Sequence, residues 1–435
     1  MKKICLLLTM VLAIGIAGCG KADTKTEPQK EETETAIESE ETVLEEQVLS
    51  DAVKIELSNS DILVNGEKIS EDTEAAVYKA NDIIFYLEGQ GIEYGEGKKK
   101  DEHFQVEGDA HTVVHITEPG TYELSGAMDA GQIFVDLGDG TKDEEEAVAT
   151  IILNNVDITC TVAPAILFYR TYECAGDVKE EDATMDVDTG AAGANLVLAE
   201  GSKNKVYGSY VAEIYEECEL NEDGTEVIDS KKLHKFDAAV YSRRSMNVSG
   251  TGSLDVTAEN EGFGSEMHMT INGGQINIKS GNDGVNTNED NISVFTMNEG
   301  TLNIQVTGET GEGEGIDSNG WLVINGGTVN AFANELSKDP GIDADKGVYI
   351  NGGAVVASGN KSVEFLGGEQ QAVTFVSETK LDAGKKYKIK DAEENVILEF
   401  SLKNPFTMLI ISSENISSEG SYTLWHDADQ LAEGM

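Results

Sequence analysis

Apolar and polar residues alternate in short runs across the second half of the chain, and the runs repeat. Thr270-Ile271-Asn272-Gly273-Gly274-Gln275-Ile276-Asn277-Ile278 recurs in similar form at 296–304, 323–331 and 349–357, with a degenerate copy at 248–256. The leading apolar residues fall at Val248, Ile271, Met297, Ile324 and Ile350, a period of 23 to 27 residues. Strict alternation predicts strands, and a period of this size predicts stacked structural repeats. Three inward columns follow: Met269, Phe295, Leu322 and Val348; Ile271, Met297, Ile324 and Ile350; Ile276, Leu302, Val329 and Val355. Stacked strands lie about 4.8 Å apart, so each column is a continuous ladder of side chains. Asn272, Asn298, Asn325 and Asn351 form a polar column at the bend, where asparagine can bond its copies above and below. Gly274, Gly300, Gly327 and Gly353 follow them, where the bend asks for a backbone other residues resist.

The missing leucine spacing excludes a leucine-rich repeat, and the short period excludes a propeller. The pattern predicts an all-β right-handed parallel β-helix, its hand following the crossover rule for parallel strands. This solenoid should occupy 51–361, with an irregular cap and first coils at 51–125 and a charged loop insertion at 170–235. Residues 362–435 lose the repeat and keep the alternation, which predicts a small antiparallel β cap.

The N-terminus is of another kind. Lys2 and Lys3 precede an apolar run from Ile4 to Ile16, followed by Ala17-Gly18-Cys19. Residues 1–18 read as a signal peptide, and the ending resembles a lipobox, which implies lipidation of Cys19. Residues 19–50 carry ten acids and almost no large apolar residue, so they read as a disordered acidic tether. The chain is thus expected on the extracellular side of a cell membrane, attached through its lipid alone. Net charge is −50. A surplus of this sign argues against nucleic acid as a partner and favours divalent cations. Cys160, Cys174 and Cys218 permit one disulfide at most, and free thiols are the preferred reading.

Several segments in order resemble the clostridial carbohydrate-binding lipoproteins, a family related in shape to pectate lyases. They are Ile116-Thr117-Glu118-Pro119-Gly120-Thr121-Tyr122-Glu123-Leu124, Gln132-Ile133-Phe134-Val135-Asp136, Ile152-Leu153-Asn154-Asn155-Val156-Asp157, the repeats, and Leu409-Ile410-Ile411-Ser412. The resemblance implies calcium binding and recognition of plant cell-wall polysaccharide of the cellulose or polygalacturonate class. An acidic insertion at 143–146 and an enlarged segment before Gly201 depart from the pattern.

Candidate chemistry lies upstream of each Asn-Gly bend. Val240, Phe263, Val285, Ile316 and Ile342 should point inward, leaving Tyr241, Gly264, Asn286, Asp317 and Asp343 outward, with Asp345 two residues further. Calcium takes six to eight oxygens, so Asp283, Asn286, Asp317, Asp343 and Asp345 are the candidate Ca2+ ligands. The alternative is a solvated polar face. Trp321 and Tyr349 are the candidate sugar-stacking residues, unless they simply pack beneath a loop. A lyase would need a basic residue of lowered pKa; Arg243, Arg244, Lys279, Lys338 and Lys346 offer proximity only. The expectation is a monomeric polysaccharide-binding protein without catalysis. A calcium-dependent polysaccharide lyase and a non-glycan surface scaffold are the alternatives.

Overall fold

The computed structural model describes residues 52–309 and 311–435. The signal, Cys19 and the tether lie outside them. The described residues are almost wholly β, with one five-residue α-helix at Gln105–Asp109. The repeats pair in parallel and in the register their alternation predicts. Met246, Met269, Phe295, Leu322, Val348 and Leu366 are successive partners. So are Leu254, Ile276, Leu302, Val329 and Val355. Burying these columns removes apolar area from water at roughly 25 cal/mol per Å2, the main term holding the stack together. Each bend glycine is required: Gly274, Gly300, Gly327 and Gly353 have φ of 88, 88, 74 and 82°. A Cβ on Gly300 would also stand 2.6 Å from the Gly274 carbonyl oxygen.

The fold class is corrected here. The large sheet does not divide into the separate faces of a right-handed parallel β-helix. It closes into a six-strand parallel β-barrel with its other strands outside the ring. Ala149–Cys160 pairs with both Ala194–Leu198 and Lys203–Gly208. Those pair with Met246–Gly250 and Ser253–Ala258, and both of these pair with Met269–Ser280. The physical reason lies at the bend. The 12-residue strands Ala149–Cys160 and Met269–Ser280 run through it unbroken, because Asn155 and Gly274 take positive φ without ending the strand. Alternation alone reads each as two strands on two faces. The structure makes each a single bent strand that closes the ring.

A second, eight-stranded sheet runs from Val77–Ala80 to Ile316–Ser318. Its inward residues, among them Val240, Phe263, Val285 and Ile316, join the columns of the large sheet in one core. Residues 170–235 supply two ring strands and an antiparallel hairpin, Val211–Leu220 with Val227–Phe236. Near the C-terminus Ala372–Leu381 and Phe406–Ser412 pair antiparallel, the latter also with Ala354–Gly359, and share a second core with a four-stranded sheet. Cys160, Cys174 and Cys218 are free.

Candidate functional site

The outer face of the eight-stranded sheet carries the acids. Parallel pairing aligns Tyr241 with Gly264, Gly264 with Asn286, and Asn286 with Asp317. A bridge between Ile316 and Ile342 continues the register to Asp343. The Tyr241 ring covers Gly264, where a Cβ would stand 2.8 Å from it, so the polar column begins at Asn286.

Asp283 and Asn286 are buried together. Asp283 Oδ1 accepts the Glu314 N–H at 2.7 Å, and its Oδ2 lies 3.5 Å from Asn286 Nδ2. Asn286 Nδ2 also donates to Glu261 Oε1 at 3.2 Å. Two buried acceptors are left without a donor, Glu261 Oε2 and Asn286 Oδ1. Asp317 and Asp343 are half-buried further along, and Asp345 is exposed.

These acids raise one another. Burial, then the Asp237 charge, pushes Glu261 well above the carboxylate range. Burial, then Glu261 and Asp317, does the same to Asp283. Glu314 is pushed up to about 10 by burial and then by Asp283, and Asp317 to about 7 by burial and then by Asp343. Asp343 is raised as well, by burial first. At neutral pH the group is short of positive charge. Lys235, 2.7 Å from Asp237, reaches one edge, and Lys361 acts on Asp343 at the other.

Sequence reasoning missed Glu261 and left Glu314 out of the candidate ligands, although a signal was present. Glu261-Gly262-Phe263, Asp283-Gly284-Val285 and Glu314-Gly315-Ile316 repeat an acid-glycine-apolar triplet in successive repeats. The glycine is needed where backbones meet: a Cβ at Gly262 or Gly284 would stand 2.5 or 2.6 Å from the next repeat's glycine carbonyl oxygen. The acid before it is thereby fixed at the buried sheet edge.

Trp321 and Tyr349 lie on the large sheet, away from this column. Trp321 pairs with Gly347 and Val323 with Tyr349, so the two aromatics share a face on adjacent strands, two residues out of step. Both are half-buried. Phe365, 51% exposed, stands 5.3 Å from Tyr349 between ring centroids and lies over Gly347. It falls outside the repeat, so the pattern gave no sign of it. His111 is spent within the fold, its Nδ1 on the Glu107 carbonyl at 2.7 Å and its Nε2 accepting the Thr161 N–H. His115 bonds Asp82 at 2.8 Å and stacks on Tyr78.

A family model described as carbohydrate-binding domain-containing protein matches residues 110–399. The chain belongs to this family. The match takes in most strands of both sheets and every acid of the cluster. A carbohydrate-binding domain-containing protein of Acetivibrio thermocellus is 31% identical over 168 residues, 38% of this chain and 45% of the relative. The chain thus spans about half the length of that curated relative. Among solved structures, a polysaccharide lyase-like protein from C. thermocellum, in a gadolinium derivative, covers 73% of this chain and 92% of its own. It does so at 21% identity and a TM-score of 0.39.

Proposed function

We propose that this carbohydrate-binding family member holds a polysaccharide without cleaving it, assisted by Ca2+ at the buried acid cluster. The observation that carries the cation is the pair of orphaned oxygens, Glu261 Oε2 and Asn286 Oδ1, amid carboxyls that cannot all ionise together. Among the described residues no three His, Cys, Asp or Glu side chains are gathered closely enough to hold a metal ion by themselves. A calcium ion here would have to complete its shell with amide, backbone and water oxygens. Glu261, Asp283, Asn286 and Asp317 would hold it, with Asp343 and Asp345 at its outer side. Bound there, the ion supplies positive charge that lets these acids ionise together. Trp321, Tyr349 and Phe365 offer the apolar faces on which sugar rings stack. Lys346, which follows the acid column, is engaged by Glu180 at 3.5 Å.

The ligand class we put forward is cellulose or polygalacturonate. The chain would act as a monomer at the extracellular side of the membrane, anchored through Cys19. Retention on insoluble cellulose and on polygalacturonate, with calcium and with chelator, tests this while absorbance follows unsaturated products. Retention without product supports the reading. Product overturns it in favour of a lyase, and no retention on either material leaves a surface scaffold.

A further inference from the structure

The chain has three arginines, at 170, 243 and 244, amid 81 acids. Arg170 is neutralised by Asp136 and Asp139. Arg243 and Arg244 have no such ion pair: among the described residues no carboxylate lies within 4.0 Å of either guanidinium, and Glu173, Glu266 and Asp177 act on Arg244 only from further off. In so acidic a molecule a partner is easily found, so two adjacent unpaired arginines call for a reason.

Both line a cleft of about 420 Å3 between the loop at 173–178 and the hairpin strand Val227–Phe236. The other charges at the cleft are already committed. Lys142 pairs with Asp177, Lys235 with Asp237, and Lys232 lies between Glu96 and Glu213. Glu173 turns to the Ser245 N–H and hydroxyl at 2.8 and 2.7 Å, and Glu266 accepts the Tyr241 hydroxyl. Burial pushes Glu213 up to about 7, and Glu289 is exposed to solvent. The guanidiniums remain.

They are also held in place. Arg243 lies over the Tyr169 ring, 4.9 Å from its centroid. Arg244 Nη1 donates to the Arg243 carbonyl at 2.8 Å, and its buried Nε–H has no acceptor. Fixed N–H forks with donors unspent match a planar carboxylate or a sulfate. Met267, Ile292 and Val178 add an apolar wall, and the volume falls in the range of small-ligand sites.

We infer that the Arg243–Arg244 cleft is an anion subsite that takes the carboxylate or sulfate ester of an acidic sugar residue directly, with no bridging metal ion. The choice of a sugar rests on the polysaccharide-binding reading; the anion site itself rests on the two arginines.

Titration calorimetry on the intact protein in chelator, with sodium galacturonate, galactose 6-sulfate and galactose, tests it. A charged sugar should bind and galactose should not; whichever charged sugar binds tighter identifies carboxylate or sulfate. The Arg243→Gln/Arg244→Gln protein should lose at least tenfold in affinity while keeping its thermal transition. If that protein does not fold, Arg243→Lys/Arg244→Lys decides. It keeps the charge and loses the fork, and should bind the charged sugar several-fold more weakly. Equal binding of galactose, or unchanged affinity in the folded variant, would overturn the inference. Retention on cellulose is measured separately, so loss of the polysaccharide reading and loss of the anion site are distinguishable.

Discussion

The two ends of the eight-stranded sheet obey the same backbone rule and meet opposite fates. At one end Tyr78, His115, Phe134 and Tyr169 follow one another across successive strands, with ring centroids 4.4, 5.2 and 5.4 Å apart. At the other end Asn286, Asp317 and Asp343 stack in one register, with Glu261 and Asp283 buried beside Asn286. Strand pairing places like beside like at the strand spacing. Rings so placed gain contact area and edge or face attraction. Carboxyls so placed repel, and burial removes the water that would screen them. The aromatic end is complete in itself, whereas the acidic end needs protons or a cation. Arg243 stands near the junction, with its ring contact on the aromatic side and its register beside Glu266.

The largest effect expected is at the aromatic end. Phe134→Ala removes a buried ring between His115 and Tyr169 and should cost about 3–5 kcal/mol of unfolding free energy. Urea denaturation in calcium and in chelator should give the same loss. A loss that differs between the two media would show that the ends are coupled.

At the acidic end the dependence on medium should be the whole effect. Calcium at a hundredfold excess over its dissociation constant should stabilise the protein by about 2.7 kcal/mol, read as a shift in melting temperature. Glu261→Gln should abolish most of that increment, since it deletes a charge beside the orphaned oxygens. An unchanged increment would place the ion elsewhere.

Protons are the other remedy, and their sign is opposite to that of a salt-bridged carboxylate. Asp317 and Glu314 hold their protons more tightly folded than unfolded, to about 7 and about 10. Their stabilisation is complete below the unfolded value near 4 and is lost as pH rises through those folded values. In chelator, stability should therefore fall between pH 5 and 8, by on the order of 2 kcal/mol from Asp317. Asp317→Asn should flatten that slope. Melting curves across this range would show it, and a stability rising with pH would refute the cluster's mutual repulsion.

How much of this was legible follows from what repeats. Ile271, Met297, Ile324 and Ile350 announce their register because alternation and period are both local in sequence. The same logic set Asn286, Asp317 and Asp343 on one outward column. Closure of the ring was not legible, because it depends on whether Gly274 bends a strand or ends it, and glycine permits both. Glu261 escaped, and Glu314 was left out of the candidate ligands, because the acid-glycine-apolar triplet was read for its apolar residue and not for its acid. Phe365 owes its surroundings to loops without a period, so no pattern pointed to it, and Arg244 was marked by proximity alone.

Between aromatic and acidic stacks lies a third case, and it carries the smallest effect. Asn298 donates to Asn272 and accepts from Asn325, at 2.8 and 2.9 Å, and Asn351 continues the ladder. An amide holds donor and acceptor at once, so stacking like on like satisfies both. Asn298→Ala breaks two bonds that water can largely replace on an exposed face, and should cost about 1 kcal/mol or less. Asn298→Asp keeps the acceptor for Asn325 but faces the Asn272 oxygen with a carboxylate that has no proton to give. If the ladder's worth lies in complementary donors and acceptors, Asp should be the more costly change near neutral pH. It should approach Ala in acid, where protonation restores a donor. Equal costs at both pH values, read by urea midpoints, would mean that the amides stack without the bonds contributing. The contrast between the sheet's ends would then rest on charge and burial alone.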